Sequence, residues 1–245
     1  MAEYDTVRSV GVGARTQIDE GLRAHMNKVY GLMSVAMLVT AGVAWSVGTS
    51  DTLLALFRDP MTLRPNILGW VVMFAPLAMV FAFGALLNRM SAAAAQVFFY
   101  AFAAVMGLSL AWIFKVFTGV SIAQTFLVTA VAFAGLSLYG YTTKRSLSGM
   151  GSFLMMGLIG LIVAMVVNIF LASSALAFAI SAIGVLIFAG LTAYDTQKIK
   201  TTYLQHAQSG DTEWMGKAAI MGALELYLDF INMFMFLLRF LGNRE

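Results

Sequence analysis

The sequence predicts an all-α, polytopic integral membrane protein with seven transmembrane helices, and three observations support this prediction. Hydrophobic residues make up 60% of the 245-residue chain and charged residues only 11%, whereas ordinary globular chains carry about 25% charged residues. Seven stretches are apolar and close to the roughly 20 residues that a spanning helix needs. None of these stretches alternates polar with apolar residues, so each is predicted to satisfy its backbone inside lipid as a helix.

The seven predicted spans follow one another closely along the chain. They are Val29–Val47, Ile67–Leu87, Ala92–Phe114, Ile122–Tyr141, Phe153–Leu171, Ala175–Tyr194 and Ala218–Phe240. Only residues 88–91 separate the second span from the third, which predicts a tight hairpin. Residues 1–28 are polar and are predicted to form a cytoplasmic tail that ends in a short interfacial helix. Residues 29–245 are predicted to form a single membrane domain.

The distribution of Lys and Arg predicts the orientation, because cytoplasmic loops carry the excess of these residues. With the N-terminus in the cytoplasm, the cytoplasmic side holds Arg8, Arg15, Arg23, Lys28, Arg89, Lys144, Arg145, Lys198, Lys200 and Lys217. The outer side then holds Arg58, Arg64, Lys115, Arg239 and Arg244. We therefore expect a cytoplasmic N-terminus and an outside C-terminus. The small net charge of +3 gives no indication of nucleic-acid binding, and the absence of Cys excludes disulfides and thiolate metal sites.

Two aspartates lie within or at the edge of predicted spans. Asp195 follows the sixth span in Ala-Tyr-Asp-Thr-Gln-Lys, and Asp229 lies inside the seventh in Leu-Tyr-Leu-Asp-Phe-Ile-Asn. A charge at bilayer depth costs about 2.5–3.5 kcal/mol on insertion scales, so such residues indicate a functional site. Glu225, Asp229 and Asn232 are spaced to share one helix face. Lipid cannot solvate that polar face, so the seventh helix is predicted to be central.

The two aspartates also predict a chemistry. Two carboxyl groups in one site of low dielectric cannot easily both ionise, so Asp195 and Asp229 are predicted to share a proton and to sense pH near neutrality. When ionised, they would offer the hard oxygen ligands that Ca²⁺ prefers. Arg89 lies in the hairpin on the same predicted side as Asp195, and a guanidinium can bond a carboxylate through two hydrogen bonds. Arg89 is therefore predicted to hold the second helix against the sixth. The alternatives are that Asp195 simply reaches water and that Arg89 only anchors the turn at the headgroups.

These segments resemble a known family. The two aspartate motifs, together with Asn88-Arg89 and the following Phe98-Phe99-Tyr100-Ala101-Phe102, are similar to signature segments of the Bax inhibitor family, the transmembrane Bax inhibitor motif proteins. The resemblance implies two three-helix layers around a central last helix, in a bacterial member of the family. It also implies a pH-sensitive Ca²⁺ leak, with no resident cofactor, gated by a hydrogen-bonded aspartate pair and an Arg latch.

Residue by residue, the resemblance assigns the pair to Asp195 and Asp229 and the latch to Arg89. One departure concerns the second helix, in which some bacterial relatives carry a carboxylate. This chain has none there, and Ala78 lies near the corresponding position. Glu225 adds an acid one turn before Asp229, which offers a partial replacement.

A second class of function stays open at this point. Some relatives in the family modulate a membrane-anchored AAA protease, a role that should depend on residues 1–28, whereas conduction should not. An enzyme is not expected, because both histidines, His25 and His206, lie outside the predicted spans, and neither aspartate follows Gly-x-Gly. We expect a bacterial inner-membrane protein whose partners are the bilayer, protons and Ca²⁺.

Overall fold

The computed structural model describes residues 2–59, 61–207 and 210–243, with side chains described from residue 17 onward. Arg244 and the side chains of Arg8 and Arg15, which enter the charge distribution above, lie outside this part. The helices are α1 (Ala2–Gly48), α2 (Asp51–Leu54), α3 (Ile67–Leu86), α4 (Ala92–Leu110), α5 (Ile113–Val116), α6 (Gly119–Thr142), α7 (Ser148–Leu171), α8 (Ser174–His206) and α9 (Thr212–Leu241). Within these described ranges, seven segments are long and apolar enough to cross a membrane, with α4 and α5 together forming one of them. The prediction of an all-α protein with seven spans is confirmed.

Helix α9 lies at the centre of the bundle. It packs against α1, α4, α6 and α8, and 67% of the residues in its most apolar stretch are buried, against 11% in α7. Helix α4 packs against α1 and α3, whereas α8 packs against α6 and α7. The six other spans therefore form two layers of three helices, with α9 between them, as the family resemblance implied.

Several helices extend beyond the spans that hydropathy predicted. Helix α1 continues without a break across Lys28, and Leu22 and Met26 are buried in the core. Residues 17–28 thus extend the first spanning helix instead of forming a separate short helix. Helix α8 continues past Tyr194 to His206. These turns contain enough polar residues to escape a hydropathy criterion, yet their apolar faces pack on neighbouring helices.

The turn between α3 and α4 is tight, as predicted, and it is fixed to the start of α9. Ser91 caps α4 by accepting a hydrogen bond from the Ala94 N–H at 3.2 Å. The Ala92 N–H donates to Glu213 Oε1, in the first turn of α9, at 2.6 Å. The end of the bundle that holds this turn therefore also holds the α8–α9 connection.

Buried hydroxyl groups join the layers to α9 and to each other. Tyr227 of α9 bonds Thr40 of α1 at 2.6 Å, and Thr40 in turn donates to the Ala103 carbonyl of α4 at 2.8 Å. A second chain runs from Tyr30 of α1 through Ser137 of α6 to Thr196 of α8, with oxygen separations of 2.6 and 2.9 Å. This second chain crosses between the layers beside Asp195, and both fix the helices that carry the site described next.

Candidate functional site

A cavity of about 870 Å³ opens between α3, α7, α8 and α9. Most of its wall is apolar, with side chains such as Leu77, Met155 and Phe188. Its polar lining is concentrated on the α8 and α9 side: Tyr194, Asp195, Lys198, Glu225, Asp229 and Asn232, with Ser152 contributed by α7. The polar face that the sequence predicts on this last helix, α9, lines this cavity. Glu225, Asp229 and Asn232 therefore face neither lipid nor the tightly packed side of α9.

Asp195 and Asp229 meet at the wall of this cavity. Their carboxyl groups lie within hydrogen-bonding reach of each other. Asp229 is 4% exposed, and the side chain of Asp195 is 13% exposed. Asp229 Oδ2 is buried and receives no hydrogen bond from any hydroxyl or N–H group in the described part of the chain. Two carboxyl groups can bond only when one of them carries a proton, so this geometry suits a shared proton.

Lys198 supplies the positive charge of the site. Its Nζ lies 2.6 Å from Glu225 Oε1 and 3.9 Å from Asp195 Oδ1. In the sequence, Lys198 stands out only as one of the basic residues that mark the cytoplasmic side. The signal that could have found it is its position one helical turn after Asp195, which places both on one face of α8.

Arg89 does not lie at this site. It is exposed in the turn after α3, and its guanidinium forms no ion pair with a carboxylate among residues 2–59, 61–207 and 210–243. The predicted contact between Arg89 and the aspartate pair is therefore not made in this conformation. Lys198 provides the positive charge beside the aspartate pair instead, because it lies one turn after Asp195 on the same helix.

Helix α3 contributes no charge to the cavity. Its lining residue is Leu77, which directly precedes Ala78 in the sequence. Among the residues that the structure describes, the cavity's acids therefore come from α8 and α9 alone, and Glu225 is the third of them. Asn232 uses its amide N–H to bond the Leu228 carbonyl of its own helix at 2.8 Å. Its side-chain oxygen is not used by that bond and is available to a ligand.

The oxygen atoms that line the cavity can interact with a hard cation, but they are too few to enclose one. Three carboxyl groups and one amide oxygen line the cavity, and such hard oxygen atoms are the ligands that Ca²⁺ takes. Among the described residues, however, no group of three or more His, Cys, Asp or Glu side chains is arranged to hold a metal ion. Ca²⁺ usually takes six to eight oxygen ligands, so a passing ion would keep much of its water.

Comparisons with known proteins identify the family that this sequence resembles. The sequence family described as inhibitor of apoptosis-promoting Bax1 matches residues 22–245. The inner membrane protein YbhL of Escherichia coli K12 is 47% identical over 225 residues, which cover 92% of this chain and 94% of YbhL. An uncharacterized protein of Rickettsia prowazekii is 46% identical over 227 residues, covering 93% of this chain and 92% of the relative. A protein of Caulobacter vibrioides is 45% identical over 236 residues, covering 95% and 94% of the two chains.

Proposed function

Because the chain belongs to the Bax inhibitor family of membrane proteins, we propose that it is a proton-regulated leak for cations, Ca²⁺ in particular, in the bacterial inner membrane. The observation that carries this proposal is Asp229. A carboxyl group buried near the middle of the central helix, with one oxygen that no hydroxyl or N–H group of the described chain satisfies, faces a cavity of about 870 Å³. The relative YbhL is named an inner membrane protein, which supports the location.

The sign and arrangement of the charges support cation movement. Asp195, Glu225 and Asp229 oppose a single ammonium group, Lys198, so the ionised cavity is negative and attracts cations. The apolar wall lowers the local dielectric, which strengthens that attraction. No catalytic arrangement is needed for this role, and we propose no enzymatic activity.

The aspartate pair offers a physical basis for regulation by protons. With one shared proton, Asp195 and Asp229 can bond to each other and hold α8 against α9. Without that proton, two negative charges face each other in a poorly hydrated site, and their repulsion favours either separation of the helices or entry of a cation between them. Protonation and cation occupancy are therefore coupled at the same oxygen atoms.

The test is Ca²⁺ flux into proteoliposomes that contain an indicator dye, measured between about pH 5 and pH 8, the range in which a shared proton would exchange. Wild-type flux should change across this range. Asp195→Asn and Asp229→Asn should each flatten the profile, because the amide cannot titrate. Asp51→Asn is the matched control: Asp51 is exposed, pairs with Lys115 at 2.7 Å and lies away from the cavity, so its profile should stay that of the wild type.

Two outcomes would contradict the proposal in different ways. An unchanged pH profile in both cavity variants would exclude the aspartate pair as the sensor. Absence of flux in the wild type at every pH would exclude the leak itself.

The alternative function is regulation of a membrane-anchored AAA protease. Removing residues 1–16 distinguishes the two functions, because a leak should keep its Ca²⁺ flux whereas regulation through the N-terminal tail should be lost. The deletion must end there, because Leu22 and Met26 belong to the buried core.

A further inference from the structure

A second cavity adjoins the first one. It has a volume of about 210 Å³ and is lined from α1, α8, α9 and the α3–α4 turn. Its polar side chains include His25, Asn88, Thr202 and Lys217. It lies at the end of the bundle that holds the α3–α4 turn and the α8–α9 connection, the end that the Lys and Arg distribution predicts to be cytoplasmic. We call this space the vestibule, and the larger cavity at the aspartate pair the inner cavity.

Two residues line both spaces, Lys198 and Glu225. Their side chains form an ion pair with 2.6 Å between Lys198 Nζ and Glu225 Oε1. The bond joins α8 to α9 at the boundary between the vestibule and the inner cavity. Beyond it, on the inner side, lie Asp229 and Asn232. The ion pair therefore stands between the polar end of the bundle and the deepest carboxyl group.

The Lys198 ammonium occupies a place where an entering cation would be bound. It lies between the Glu225 and Asp195 carboxylates, at 2.6 and 3.9 Å, where a cation moving from the vestibule towards Asp229 would find its first ligands. The Lys198 side chain is 46% exposed, and its four-carbon stem carries the charge as a mobile group. A partly exposed ion pair of this kind contributes little to stability, so thermal motion breaks it readily.

We propose that the Lys198–Glu225 ion pair is a gate, in which the tethered ammonium closes the passage between the vestibule and the inner cavity and competes with incoming cations for the same carboxylates. The relevance to conduction rests on the proposed leak function. The existence of the barrier does not, because it can be measured without any ion flux.

The experiment uses the absence of Cys from the chain. Asn232→Cys places one thiol in the inner cavity, and Thr202→Cys places one in the vestibule. Each is combined with native Lys198, with Lys198→Met and with Lys198→Arg, in the full chain reconstituted in nanodiscs. The probe is iodoacetamide, whose neutrality removes electrostatic attraction of the reagent, and the readout is the rate of alkylation by mass spectrometry. Lys200→Met is the control, because Lys200 on the same helix bonds the Tyr141 carbonyl at 2.7 Å and lines neither cavity.

We expect Lys198→Met to raise the alkylation rate at Asn232→Cys by about fivefold, the factor that loss of about 1 kcal/mol produces. The rate at Thr202→Cys should not change, and Lys198→Arg and Lys200→Met should leave both rates as in the native background. An unchanged rate at the inner thiol would overturn the gate. Equal increases at both thiols would also overturn it, because they would indicate general loosening of the bundle.

Calcium flux by the same variants separates the gate from the leak. If Lys198→Met raises inner-cavity alkylation and also raises Ca²⁺ flux, both proposals are supported. If alkylation rises but neither the wild type nor the variant conducts Ca²⁺, the gate stands and the proposed leak fails. If the wild type conducts and Lys198→Met changes neither measurement, the leak stands and the gate fails.

Discussion

From the hydrogen bond between Tyr227 and Thr40 we predict that a second mutation restores part of the stability that the first one removes. Tyr227 is 0% exposed at the centre of α9 and packs edge-on against Phe99 and Phe102 of α4. Thr40 already donates its hydroxyl hydrogen to the Ala103 carbonyl, so Tyr227 must be the donor in the 2.6 Å bond between the two hydroxyl groups. Mutation of the donor, Tyr227, and mutation of the acceptor, Thr40, therefore leave different groups without a hydrogen bond.

Tyr227→Phe removes a donor and leaves nothing buried without a partner, because Thr40 keeps its bond to Ala103. Hydrogen bonds between membrane helices average about 0.6 kcal/mol, with a maximum of about 1.7 kcal/mol, so the loss should fall in that range. Thr40→Val removes the acceptor and leaves the Tyr227 hydroxyl buried and unpaired, which costs about 1–3 kcal/mol. The double variant has no unpaired hydroxyl, so it should be more stable than Thr40→Val alone by about 1 kcal/mol.

Equilibrium unfolding in mixed micelles of mild detergent and SDS, monitored by circular dichroism, measures the three free energies. Thr129→Val is the matched control, because Thr129 is also buried and its hydroxyl bonds, within the described part of the chain, the Thr125 carbonyl of its own helix alone. It should change stability less than Thr40→Val does. If the double variant is as unstable as the sum of the two single variants, the assignment of donor and acceptor is refuted.

Two further predictions concern topology and packing. Reporter fusions at Ser9 and at Arg244, positions whose side chains lie outside the described part, should report opposite sides of the membrane, and reports from the same side would exclude an odd number of spans. Gly140→Ala should destabilise the protein by about 1–3 kcal/mol, because the new Cβ would lie 2.9 Å from the carbonyl carbon of Ala193 and this backbone cannot move aside. At Gly135 the new Cβ would meet nothing within 4 Å beyond its chain neighbours and the backbone of its own helix, so Gly135→Ala should be neutral or stabilising in the same unfolding assay. Equal losses in the two variants would contradict this account of the α6–α8 contact.

The number and order of the spans could be predicted from sequence because lipid imposes a direct requirement on each segment. A stretch such as Ile67–Leu86 must be apolar over its whole length to cross the bilayer, whatever its neighbours. The central position of α9 was predictable for the same reason, since Asp229 and Asn232 cannot face lipid. What lies beyond the lipid was not predictable: the helical turns before Val29 and after Tyr194 are set by packing on other helices.

The candidate site was predictable only in part. The meeting of Asp195 with Asp229 was expected from the cost of each charge in lipid and from the family resemblance. The sequence predicts Arg89 as the cation beside the pair, because its guanidinium lies on the same predicted side as Asp195, whereas the structure places Lys198 there. Charge counting along the chain cannot distinguish a Lys that anchors a helix in the headgroups from one that turns inward, because both occur at the same depth. That distinction depends on Glu225 of the adjacent helix.

The peripheral placement of α3 and α7 has a consequence for the bilayer itself. Each of these helices packs mainly on one neighbour, α3 on α4 and α7 on α8, and the inner cavity lies between them. Leu77 and Met155 line that cavity and are also exposed on the surface of the isolated chain, so in a bilayer acyl chains would complete the wall on that side. Lipids of different length tilt or thin around such weakly held helices at a cost of fractions of a kcal/mol per Å of mismatch. The hydrocarbon layer therefore forms part of the boundary of the inner cavity. Asp229 accordingly has different surroundings in a micelle and in a bilayer.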